Sequence, residues 1–417
     1  MRARSGGLGA PEIALASALA TFFAGVQFYT SLAALAPTPP VGYLFATRAL
    51  AGGLVAVLGC ATLVAGAHLK RDRAALPTPS RAILAAWLGS AALSSLLGID
   101  PLSSLQVVGM MALGAVFHLA LVRYYDCPGV ARAVLATYLA AGLLAGLAAL
   151  GMFLSRRPAA LWAYNHGRAA GFFVTANQFA AFLIAFIFVA LGVALAGDGA
   201  LRRLAQAAFV IGLAALAATF SQAGWIGAAA GGFFFALAMG ARRTALGLVL
   251  ACALAATAVW ARPAAGHNPA ESFDRLRIWQ AGVRVAELFP LTGAGPMAYW
   301  RIYPAIRPSN GDLPGTFGAL HPHDAYLSLA GETGAVGIVA CAYGWWRFGR
   351  AMRARLHGRS RDERRLALGV CAGLVAVLVQ GIFDTIGVVQ MAFVWIPFTA
   401  LALATAADTE AAPGASR

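Results

Sequence analysis

The 417-residue chain has 11% charged residues against 60% hydrophobic ones, and its mean hydropathy is +0.74. Soluble domains carry about 25% charged residues, so a soluble fold of this length could not cover its surface, and a disordered chain is excluded by the same wealth of apolar residues. The net charge of +15 comes almost wholly from arginine, Lys70 being the one lysine; in a membrane protein that balance points to topology, and no nucleic-acid partner is expected.

A bilayer-spanning helix takes about 20 apolar residues. In chain order, such runs occupy 12–36, 43–68, 82–98, 102–122, 130–153, 171–196, 204–220, 222–240, 244–261, 333–348, 366–386 and 388–407. The expected fold class is therefore an all-α polytopic membrane protein with about 12 transmembrane helices. The first run is too long for a cleavable signal peptide and lacks a clear processing site. The 47 glycines suit closely packed spans. Cys60, Cys252, Cys341 and Cys371 lie in apolar runs and Cys127 in a short polar loop, with no metal or disulfide spacing.

Orientation follows from the short loops. Arg2, Arg4, Lys70, Arg71, Arg73, Arg81, Arg123, Arg132, Arg202, Arg203, Arg242, Arg243, the eight arginines from Arg347 to Arg365, and Arg417 fall on alternate connections. They make 21 of the 31 basic residues, which sets both termini in the cytoplasm. The whole chain, 1–417, then reads as one transmembrane domain, with a large periplasmic loop at 262–332 between the ninth and tenth spans. The ten exceptions are Arg48, inside the second span, and Arg156, Arg157, Arg168, Arg262, Arg275, Arg277, Arg284, Arg301 and Arg307 on the outer side. Arginines held against the topology signal suit an anion.

Within the loop, 273–289 reads as an amphipathic helix. Leu276, Trp279 and Val283 share one face; Arg277, Gln280, Arg284 and Glu287 share another. Pro290 ends it, and Gly293, Gly295 and Pro296 form a turn.

Three clusters carry possible chemistry. Arg168 to Phe182 joins Arg168 at the outer mouth of a span to Gly171, Asn177 and Gln178; the plain alternative is an arginine snorkelling to lipid headgroups. Arg275 and Arg277 open the loop helix and suit a two-pronged grip on phosphate, against an alternative of local ion pairs such as Asp274 to Arg277. His321 to Gly337 brings His321, His323, Asp324, Tyr326 and Glu332 to the entry of the tenth span. A neutral imidazole there suits a general base, oriented by Asp324 or Glu332. Two alternatives stand beside it: His321 and His323 with Asp324 as a metal site, and Glu332 as a mere cap. Gln27, Arg48, Gln222 and Asp384 are intramembrane polar groups on the outer side, where an Arg48–Asp384 pair would account for both charges. Ser221 to Gly227 fits a tight hairpin equally well.

Together these segments resemble the O-antigen ligase/polymerase superfamily. The carriers are Arg168-x-x-Gly171 with Asn177; Ser221-x-x-x-Trp225; Arg275-x-x-x-Trp279 followed by Pro290-x-x-Gly293-x-Gly295; and His323-Asp324-x-Tyr326 followed by Glu332-x-Gly334-x-x-Gly337. The resemblance covers roughly 165–340. Gln222 and Asp324 depart from it, standing where the family often has Arg and Asn.

The resemblance implies a GT-C-like glycosyltransferase of the bacterial inner membrane with its active site facing the periplasm. It would transfer O-antigen polysaccharide from undecaprenyl diphosphate to lipid A–core, with inversion and without a metal or cofactor. It implies His323, Arg168 and Arg275 as catalytic residues. Arg277, Asn177, Arg48, Gln27, Tyr326, Asp324, Glu332 and His321 would bind the substrates, with membrane lipids as surroundings. The alternatives are an O-antigen polymerase, a protein O-oligosaccharyltransferase and, from a different class, a lipid-linked glycan transporter. A transporter predicts charges along a path open to both sides, whereas the unexplained arginines gather on one.

Overall fold

The computed structural model describes residues 78–125, 129–157, 159–171, 173, 175–244, 247, 269–306, 321–384 and 394–406. The expected spans at 12–36 and 43–68, and nearly all of 244–261, lie outside these residues, as do Gln27 and Arg48.

The described elements are helices throughout, and the protein is an all-α membrane protein. They are α1 (Thr78–Leu97), α2 (Pro101–Tyr124), α3 (Val130–Ser155), α4 (Ala159–Tyr164), α5 (Ala176–Ala196), α6 (Gly199–Ala218), α7 (Gln222–Ala238), α8 (Pro269–Leu288), α9 (Tyr299–Ile306), α10 (Ala325–Leu356), α11 (Arg361–Gln380) and α12 (Ile396–Thr405). Among them α1, α2, α3, α5, α6 and α10 are long and apolar enough to cross a membrane, while α7 and α12 are shorter apolar helices.

Local chemistry sets the ends. Asp100, Thr175, Ser221 and Asp324 are N-caps whose side chains accept backbone N–H groups, and Ser360 with Glu363 forms a reciprocal capping box. At the end of the bundle that carries Ser360, arginines satisfy the last carbonyls of helices. Arg365 donates to the Leu195 carbonyl of α5 at 3.0 Å, and Arg355 donates to the Leu403 carbonyl of α12.

α5 is apolar all round and buried nearly all round, as a central helix must be. α11 packs along it at backbone distance: a Cβ at Gly369 would lie 2.5 Å from the Phe188 carbonyl oxygen. α7 closes on α11 in the same way at Gly227 and Gly231. Phe173, Phe179, Phe182 and Phe186 line up beside Tyr138, while Trp87, Trp345 and Trp395 form a second aromatic knot. Buried His118 ties three helices, meeting the Ile396 carbonyl and Ser80 Oγ, each at 2.9 Å.

The expected tenth span, 333–348, is part of a 32-residue helix broken at Gly334, where φ is 61°. The loop after α8 fills the break. Ala294 N–H donates to the Gly331 carbonyl and Gly295 N–H to that of Glu332, while Ala335 and Val336 donate back to Pro290 and Leu291. The same loop reaches the other helices: Ile99 N–H donates to the Ala294 carbonyl, Ser104 Oγ to that of Pro296, and Ser94 Oγ to that of Glu332. Non-helical backbone at membrane depth has to be satisfied by protein groups, and this interlock does so.

Candidate functional site

At the entry to α10, His323 adopts a left-handed backbone conformation (φ 52°), uncommon for a residue with a side chain. Its Nδ1 lies 3.3 Å from Asp384 Oδ1, just past the end of α11. The carboxylate is largely shielded, with 14% of its side chain exposed, whereas the imidazole is 36% exposed. Trp279 Nε1 on α8 donates to the His323 carbonyl at 3.4 Å. The His321 ring stands edge-on, 4.4 Å from that of His323 between centroids.

The neighbouring acids have other partners. Asp324 Oδ1 accepts the N–H groups of Tyr326 and Leu327 at 2.8 Å each, so it caps α10, and Asp384 is the carboxylate that faces the His323 ring. Burial raises the Asp324 carboxyl above the usual range, against the lowering effect of those two N–H groups. Tyr326 Oη donates to the Leu378 carbonyl at 2.9 Å, and Ala325 N–H to that of Gly381 at 2.7 Å, which fastens the histidine turn to the end of α11. Glu332 is buried at the α10 break, its carboxylate bonded by the Met297 N–H. It holds the inserted loop and does not cap the helix entry.

Arg168 is fixed in a second nest. Its Nε donates to the Thr219 carbonyl at 2.7 Å and its Nη2 to Asn177 Oδ1 at 2.6 Å. The loop leading to it turns tightly through His166 and Gly167, both at positive φ, and Asn165 Oδ1 accepts the Ala176 N–H at 2.8 Å. Ser221 caps α7 by accepting the Gly224 N–H, so the Ser221 turn builds the hairpin beside Thr219.

α11 joins the two nests. Gln380 Nε2 donates to the Asn177 carbonyl at 3.4 Å, and Asp384 N–H donates to the Gln380 carbonyl at 3.1 Å. The route from arginine to histidine runs Arg168–Asn177–Gln380–Asp384–His323. Thr219 and Gln380 were not singled out in the sequence. The one available signal was a polar pair, Gln380 and Asp384, one helical turn apart at the end of an apolar run.

Arg277 lies half-buried on α8. Arg275 belongs to the same helix, but its side chain, like Gln27 and Arg48, lies outside the described residues. The buried stripe of α8 differs from the one the periodicity suggested. Ala281 and Val285 are buried beside half-buried Ile278, while Leu276 and Val283 are 53% and 45% exposed. The reason is close approach: Gly282 sits against Pro322 and Leu327, room that only small residues leave. Leu276, Trp279 and Val283 instead line an open groove with Gln280, Arg284 and Glu287. Among the described residues, no group of three or more His, Cys, Asp or Glu side chains is placed to hold a metal ion.

Residues 207–342, about a third of the chain, match a family model described as O-antigen ligase. No curated protein matches the chain. The matched stretch runs from α6 through the Ser221 turn, α8, the loop inserted at Gly334 and the histidine turn, and over it the chain is similar to the O-antigen ligase/polymerase superfamily.

Proposed function

We propose that the protein is an O-antigen ligase of the inner membrane, transferring O-antigen polysaccharide from undecaprenyl diphosphate to lipid A–core at the periplasmic face of a twelve-span, GT-C-like fold. The observation that carries this reading is the pairing of His323 with Asp384, linked through Gln380 and Asn177 to Arg168, in a chain whose residues 207–342 match the O-antigen ligase family model.

In this reading, Nδ1–H of His323 donates to Asp384, which leaves Nε2 to accept a proton. A hydroxyl of the acceptor sugar attacks the anomeric carbon as its proton passes to Nε2. The bond from that carbon to the diphosphate oxygen breaks, the electron pair leaves with the carrier diphosphate, and the configuration inverts. Arg168, with Arg275 and Arg277, stabilises the charge that grows on the leaving group. Asn177 and Thr219 aim Arg168, so its guanidinium is oriented before substrate arrives. Gln27, Arg48, Tyr326 and His321 complete the substrate surroundings, while Asp324 and Glu332 serve by shaping the backbone that carries His323.

The lipopolysaccharide ladder of a strain lacking the protein tests the reading. A ligase predicts loss of all long-chain species, with carrier-linked polymer accumulating. Survival of core bearing one repeat overturns it in favour of a polymerase.

A further inference from the structure

The part of α10 beyond its break at Gly334 has two unlike faces. Gly337, Cys341, Gly344, Phe348 and Met352 are buried at spacings of three and four residues. The opposite face presents Val336, Val339, Tyr343 and Trp346, each between 38% and 67% exposed, and then the exposed Arg350 and Arg353. The spacing of three and four residues makes these six a single stripe. It is apolar first, then aromatic, then cationic.

The cationic end is built around an aromatic ring. The guanidinium carbons of Arg347 and Arg350 lie 5.9 and 5.0 Å from the centre of the Trp346 ring, and Tyr343 stands 5.8 Å from the same ring. α10 has no acidic residue after Glu332. Nearby charges are engaged elsewhere: Arg355 and Arg365 hold helix carbonyls, Asp362 pairs with Arg365 at 3.1 Å, and Glu363 closes the capping box. Placing positive charge in cytoplasmic loops satisfies topology wherever in the loop it falls. It does not call for arginines in register with an exposed apolar stripe and stacked on a tryptophan.

We propose that this stripe binds an anionic phospholipid at the end of the bundle opposite His323. An acyl chain lies along Val336, Val339 and Tyr343. Trp346 sits at the level of the glycerol, where tryptophan favours the membrane interface. Arg347, Arg350 and Arg353 hold the phosphate and the charged headgroup. The occupant follows from charge complementarity joined to an apolar track: a soluble polyanion would leave the track uncovered, and a zwitterionic lipid would leave the arginines half-compensated. The inference is independent of the transfer chemistry, because it concerns the other end of the molecule.

Native mass spectrometry of the full-length protein, titrated with phosphatidylglycerol or phosphatidylcholine of matched chains, tests it. The wild type should retain phosphatidylglycerol in clear preference. Together, Arg347→Gln, Arg350→Gln and Arg353→Gln should weaken that retention about tenfold or more. The same three positions changed to Lys should keep it, and Trp346→Ala should fall between. A control, Arg202→Gln with Arg203→Gln, removes two charges from the neighbouring connection and should leave retention unchanged. Equal binding of both lipids, equal loss in the control, unchanged retention in the triple Gln variant, or a dimer closing over Val339 would each overturn the proposal. A triple variant that fails to fold leaves Trp346→Ala and the Lys series to decide.

Discussion

His323 and Asp384 meet across 61 residues of sequence, with 3.3 Å between Nδ1 and Oδ1. One sits on the turn that opens α10 and the other just beyond α11, and the Ala325–Gly381 and Tyr326–Leu378 hydrogen bonds lock those two segments together. The pair is therefore a consequence of how two helix ends are sewn, and the left-handed backbone at His323 is the local strain that this stitching holds.

His323→Ala is expected to lower transfer by about 10²–10⁴-fold, the usual contribution of a positioned base, while carrier-lipid binding persists. His321→Ala should be much milder. Assaying both in one membrane background, with donor binding measured separately, decides between the histidines; an inactive His321 variant beside an active His323 variant would reverse the assignment. Asp384→Asn keeps the shape but loses the charge. It should lower kcat with little change in donor KM and alter the pH profile, a response that a purely structural residue would not give.

Arg168→Ala removes the donor to both the Thr219 carbonyl and Asn177 Oδ1. Leaving a buried acceptor unmet costs about 1–3 kcal/mol, so thermal stability should fall along with activity. Arg168→Lys should restore part of the activity, since an ammonium cannot reproduce the planar fork. Full transfer in the Ala variant would remove Arg168 from the site.

Asp324 gives a signed pH effect. Burial raises its carboxyl in the folded protein, so folding favours the protonated form. The stability linked to this group is present at low pH and is lost as pH rises through the raised value. Asp324→Asn keeps a capping oxygen without the charge. Its melting temperature should exceed that of the wild type at neutral pH, and the gap should shrink on acidification. Asp324→Ala loses the cap and should be less stable than Asp324→Asn by about 1 kcal/mol at any pH, since neither side chain titrates. A gap that widens on acidification would contradict the assignment.

Gly334→Ala should be severe although it lies far from the proposed chemistry. Its backbone, with φ 61° and ψ −162°, is one that essentially only glycine adopts and costs a side-chain-bearing residue about 1–3 kcal/mol, and a Cβ there would meet the Leu291 carbonyl at 2.5 Å. A thermal melt in detergent reads the loss; a variant as stable as the wild type would mean that the break in α10 is relaxed at no cost.

The topology is tested by cysteine accessibility in intact cells. A cysteine at Asn310 should react with an impermeant thiol reagent added outside, and one at Arg359 should not. The reverse pattern would invert the molecule and put His323 in the cytoplasm.

By itself the sequence determined that the chain lives in a membrane, and it located ten helices in the described part, to within several residues at most ends. The reason is local: spanning segments need long apolar runs, and caps such as Thr175, Ser221 and Ser360 act within three residues of their own helix. It also drew attention to Arg168, Asn177 and His323 as polar groups in costly places. Only the tertiary structure decided their partners. Asp324 looked like the companion of His323, because proximity along the chain is all that a sequence displays, and the carboxylate that faces the ring is Asp384. Glu332 read as a site residue and Pro290 to Gly295 as a turn, and the fold brings the two together at the break at Gly334. On α8 two apolar stripes competed, and the choice fell to Ala281 and Gly282, small enough to let another backbone come near. Such choices depend on which surfaces meet at close range, and that is fixed by the packing of segments far apart in the chain.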